Sequence, residues 1–146
     1  MDIAPINEKT GYVRWMKSQG LPIHVGHGMA DLRTLAVAPY ERTGGKAAFI
    51  HLHGMQGITG GYIGEIPAGE ALKPERHLYE EVICILSGQG ATELWDEGNK
   101  RMFEWNAWSL FAATHEHAAP FAQRLARIGA LSRGHQCAAR VRHLSR

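Results

Sequence analysis

Residues 74–90 read PERHLYEEVICILSGQG, and the reading of this stretch decides the fold. The core of it, VICIL, is apolar and β-branched, and SGQG follows at once as a glycine-bearing hairpin turn. The charged lead-in is spaced evenly. Glu75 and His77 are two apart, and Glu81 lies four beyond His77, so an extended chain returns all three to one face. One imidazole with two carboxylates is a donor set that Fe, Mn, Ni or Zn accepts. The stretch therefore reads as a strand with a candidate metal edge.

Working outward, the same texture repeats. KAAFIHLHG (46–54), GYIGEIPAG (61–69), GATELWD (90–96) and KRMFEWNAWSLFA (100–112) are short apolar and aromatic runs separated by Gly, Pro or DEGN punctuation. Strands at this spacing with no helices between them predict an antiparallel sandwich or barrel. Before them, NEKTGYVRWMKSQGLP (7–22) predicts an irregular or short helical arm, with Tyr12, Trp15 and Met16 at helical spacing and Gly20 and Pro22 closing it. LRTLAVAPYERTGG reads as an extended connector ending in a Gly-Gly turn. The expected organisation is an N-terminal arm and connector over 1–45, a β core over 46–112 and an atypical basic tail over 113–146.

Composition narrows the function classes. The chain has 146 residues, enough for one domain with one sizeable core. A net charge of +2 is too mild to argue for nucleic acid as a partner. No apolar run approaches the ~18 residues of a membrane span, and MDIAPINEKT lacks the basic-then-apolar pattern of a signal segment. Two cysteines, Cys84 and Cys137, give no disulfide framework, and Cys84 inside VICIL reads as a small buried thiol. A reducing, cytoplasmic location is expected. His51 and His53, in HLH, are also two apart on a strand, but alternating polar positions on a sheet face account for them. His24 and His27 fall in irregular chain and are given no role.

The spacing Gly69, Glu75, His77, Glu81, Gly88 resembles the first motif of the cupin superfamily, G-x5-H-x-H-x3,4-E-x6-G, with Glu75 where the first His stands. EIPAGEALKPERH resembles the strand and Pro-Gly turn that precede this motif, and GQGATELW the hairpin that follows it. The resemblance covers roughly residues 45 to 112 and implies an all-β, jelly-roll barrel. It implies a divalent metal, Fe first and Mn, Ni or Zn as alternatives, on His77 and Glu81, with Glu75 as an oxygen donor in the substituted place. The arm and first strands resemble the N-terminal half of two-domain bacterial cupins, distantly similar to gentisate-type dioxygenases. A metal-dependent oxidoreductase acting on a small aromatic or carboxylated molecule is the activity so implied. The alternative is a non-enzymatic cupin, a small-ligand-binding or structural module with a degenerate metal site.

The superfamily's second motif, G-x5-P-x-G-x2-H-x3-N, has no clear counterpart. WNAWSLF resembles its opening, and then residues 113–146 hold six Arg, one Glu, no Lys and no Asp, without the alternation of a strand. This is the composition of a GC-rich gene read out of frame. A one-base shift of permitted codons yields a Pro-x-Asn-Thr-Pro turn followed by His and Asn, as motif two requires. The competing expectation is that THEH supplies the missing ligand through His115 or His117. A barrel left incomplete at its C-terminus would expose sheet edges and favour a homodimer through them. A small-molecule ligand is the other expected partner.

Overall fold

The computed structural model describes residues 11–54, 59–73, 80–96, 99–113, 124–126 and 134–141. Helix α1 (Gly11–Ser18) is followed by β1 (Ile23–Gly26), a 3-10 turn (Leu32–Thr34), β2 (Ala38–Tyr40), β3 (Gly45–Leu52) and β4 (Thr59–Ile66). Then come β5 (Glu80–Ser87), β6 (Gln89–Asp96), β7 (Asn99–Asn106), β8 (Leu110–Ala113), β9 (Arg124–Ala126) and β10 (Gly134–Val141). The larger sheet has seven strands in the order β1-β3-β4-β10-β5-β8, with β2 also on β3; the smaller runs β7-β6-β9. All pairings are antiparallel except β1 with β3.

The two sheets meet over an apolar layer. Ile66 of β4 and Ile83 and Ile85 of β5 pack against Trp105 of β7, with Tyr62, Phe103 and Phe111 beside them. Phe103 and Phe111 meet edge to face at 4.8 Å between ring centroids, the arrangement favoured by the ring quadrupoles. Trp105 is buried, and its indole N–H donates to Thr92 Oγ1 at 2.9 Å, satisfying both polar groups inside the core.

The arm packs on this same inner face. Val13 and Met16 of α1 are buried with Ala47 and Phe49 of β3, and Trp15 stacks on Tyr12 and meets the edge of Phe49. The helix expected over 7–22 is described over Gly11–Ser18 and is followed by Gly20 at φ 68°, a left-handed conformation that glycine adopts without strain. The connector has a function in packing that its lack of periodicity concealed. Met29, Leu32, Leu35 and Val37 cover Ala48, Ile50, Ile63 and Leu86 on the outer face of the large sheet. His24 fixes it there by donating from Nε2 to the Ala36 carbonyl at 2.9 Å.

The tail differs from expectation. Composition argued that nothing after residue 112 continues the sheet, yet β9 pairs with β6, and β10 lies between β4 and β5. A strand enclosed on both sides draws its stability from two backbone ladders, which do not depend on alternation of its side chains.

Candidate functional site

The register of the large sheet arranges its inner face in transverse rows. Phe49, Tyr62, position 138, Ile83 and Phe111 form one row. One pleat further along, position 140 pairs with both Gly60 and Glu81, and Glu81 pairs with Ala113. His51 lies one residue beyond the Ile50–Gly61 pair, on the same face of β3 as Phe49. Thus Gly60, Arg140 and Glu81 occupy successive positions across three strands, with His51 one residue past the last β3–β4 pair. The first row carries the aromatic and aliphatic side chains of Phe49, Tyr62, Ile83 and Phe111; the second carries the ionisable His51 and Glu81. It lies at the end of the barrel where β3 gives way to the loop toward β4, and where β5 begins directly after the chain segment holding Glu75 and His77.

Glu81 is 2% exposed, although it stands second in its strand. It shares a face with Ile83 and Ile85, as the even spacing predicts. Burial of an ionised carboxylate is stable only with a cation or strong hydrogen-bond donors to replace its water. His51 is 7% exposed, and its Nε2 is buried with no hydrogen-bond partner among the described residues. Burial pushes its imidazole below the ordinary histidine range, and the neighbouring His53 adds to the shift. His51 is therefore a neutral ring at pH 7, the form that ligates or hydrogen-bonds. At Gly60 the absence of a side chain is required, because a Cβ there would collide with the phenol oxygen of Tyr12. The helical arm thus delivers a hydroxyl into the polar row.

Of the expected metal ligands, Glu81 is on the inner face, and Glu75, His77, His115 and His117 lie outside the described residues. Among the described residues no group of three or more His, Cys, Asp or Glu side chains is placed to hold a metal. Glu81 fits a metal by donor chemistry, burial and face, while the remainder of the donor set rests on Glu75 and His77. His53 meets His27 with ring centroids 4.8 Å apart, near the end of β3. HLH thus divides: His51 faces the interior row, and His53 joins His27. The sequence signal for His51 was its even spacing from Phe49 and Ala47. Arg140 left no local signal, since only the β5–β10 register brings it opposite Glu81.

No family model matches the sequence, and no curated protein matches it. Solved structures do. The cupin domain of Schizosaccharomyces pombe Cnp3 matches at TM-score 0.59 and 12% identity, over 77% of this chain and 68% of that one. The fold is that of a cupin. Oxalate decarboxylase from Bacillus subtilis shares it at TM-score 0.56 and 14% identity, over 71% of this chain and 27% of that one. So does the vicilin of Solanum melongena, at TM-score 0.56 and 12% identity, over 66% and 26%. The chain therefore spans about a quarter of the length of the latter two. At these identities the likeness carries the cupin architecture and nothing of the chemistry. Among the described residues no helix is long and apolar enough to cross a membrane.

Proposed function

We propose that this chain is a small-molecule-binding cupin domain whose polar inner row holds a divalent metal. Iron is the first expectation, with Mn, Ni or Zn as alternatives. The observation that carries the reading is Glu81, a buried carboxylate on the interior face at the motif's ligand position. Glu81, His77 and Glu75 would hold the ion. When bound, it would supply Lewis-acid charge and open coordination positions for a small aromatic or carboxylated substrate, as the dioxygenase resemblance implies. The chain's own groups do the rest. His51, kept neutral, offers Nε2 to a hydrogen-bonding group of the ligand. The apolar row of Tyr62, Ile83 and Phe111 forms the floor beneath and excludes water.

The test is metal analysis of the purified full chain. Stoichiometric metal that disappears in both His77→Ala and Glu81→Gln supports the proposal. A folded, metal-free protein overturns it.

A second reading is favoured by one observation: Arg140 occupies the position directly opposite Glu81. Opposite charges at facing positions are a stabilising cross-strand combination, and this pairing would give Glu81 a cation without any metal. The domain would then be a non-enzymatic module for a small anion. The Solanum melongena vicilin is described as holding different anionic ligands in structurally similar pockets. Under this reading the wild-type chain is metal-free, and Arg140→Met lowers stability sharply while Arg140→Lys restores part of it.

A further inference from the structure

The register that places Arg140 opposite Glu81 places Cys137 opposite Cys84, on the other face of the same two strands. Cys84 and Cys137 are the chain's two cysteines, 53 positions apart in sequence. Facing residues of an antiparallel pair have Cα atoms about 4.5 or about 5.5 Å apart, according to the type of pair. Both distances lie inside the ~4.4–6.8 Å range that a disulfide spans. The two positions belong to an outer-face row that runs Ala48, Ile63, 137, 84, Leu110. Cys84 itself is partly exposed and packs beside the Ala48, Ile50, Ile63 and Leu86 cluster.

We infer that Cys84 and Cys137 form a cross-strand thiol pair, a site of reversible oxidation to an intramolecular disulfide joining β10 to β5. With oxidised glutathione as the oxidant, the thiolate of one cysteine attacks the glutathione disulfide and expels one glutathione thiolate. The second cysteine's thiolate then attacks the resulting mixed disulfide at the protein sulfur and expels the other. Two protein thiols lose two electrons and two protons, and one glutathione disulfide is reduced to two thiols. The bond would hold in place the one strand that joins the two halves of the large sheet. In a reducing compartment it would form under oxidative conditions and be reversed by thiols.

The test treats the native, full-length chain with oxidised glutathione, blocks remaining thiols by alkylation, and reads intact mass and peptide map. The expected product has lost two hydrogens, carries no alkyl group, and yields a joined pair of peptides containing Cys84 and Cys137. It forms at least ~10-fold faster than in the same chain under denaturant, since folding raises the effective concentration of one thiol at the other. Cys84→Ser should stop at one glutathione adduct on Cys137. Should that variant fail to fold, the wild-type peptide map decides alone. Two glutathione adducts on one chain, covalent dimers, two thiols left free, or a rate no faster than under denaturant each overturn the inference.

Discussion

Two successive rows of the same sheet face have opposite characters. The row of Phe49, Tyr62, Ile83 and Phe111 is aromatic and aliphatic, and Ile83 within it is 1% exposed. The row one pleat away carries His51, Gly60 and Glu81, with two of the three ionisable and buried. The first supplies the transfer free energy that holds the sheets together, about 25 cal/mol per Å² of apolar surface removed from water. The second buries ionisable side chains and gains no such transfer free energy. Apolar packing and buried ionisable groups thus occupy adjacent layers of one sheet face.

That division can be broken by substitution. The largest effect is expected in the apolar layer: Ile85→Ala, at a residue with no exposure, should cost about 2–5 kcal/mol by denaturant unfolding. A cost below 1 kcal/mol would mean that the sheets are not held together there. Next is Gly60→Ala, whose new methyl meets the Tyr12 phenol. It should destabilise by about 1–3 kcal/mol, and the double variant Tyr12→Phe, Gly60→Ala should recover part of that loss. An additive double variant would show that Tyr12 does not lie over Gly60.

A smaller effect comes from pH. The folded His51 imidazole titrates below its unfolded value of ~6.5, so the unfolded chain binds the extra proton between the two values. The stability contributed by neutral His51 is complete above ~pH 6.5 and is lost as pH falls through the folded pKa. Thermal melts from pH 7 to 5 should show a decline that His51→Gln flattens; an unchanged slope would place the ring in solvent. The smallest effect is expected away from both rows, at Leu110, which is 68% exposed on the outermost strand of the large sheet. Leu110→Lys should change stability by less than about 0.5 kcal/mol. If the edge pairs two copies of the chain, the same variant should also shift the molecule to monomer in sedimentation.

The strands of the β core were legible because each alternates and ends in its own punctuation. VICIL with SGQG became β5 and its turn, and Gly88 takes φ 88° as that turn requires. The face of Glu81 was legible for the same reason, since a period of two needs no tertiary information. What could not be read was everything decided by a neighbour. β1 pairs in parallel with β3 across a crossover that shows no periodicity of its own. Arg140 and Cys137 acquire meaning only once β10 lies against β5. Whether residues 113–146 are out-of-frame coding is checked independently of the pairing by sequencing the gene across the codons for Phe111 to Thr114.

The position of β10 also constrains how the molecule is made. Without it, the large sheet is two separate pieces, β1-β2-β3-β4 and β5-β8, each ending in a strand with unpaired backbone groups. The strand that joins them is the last described in the chain. During synthesis both open edges must wait until residue 141 has left the ribosome, and through that interval they are templates for other nascent chains. The yield of folded protein should therefore depend on how crowded the chains are as they emerge, more than on the stability of the finished barrel.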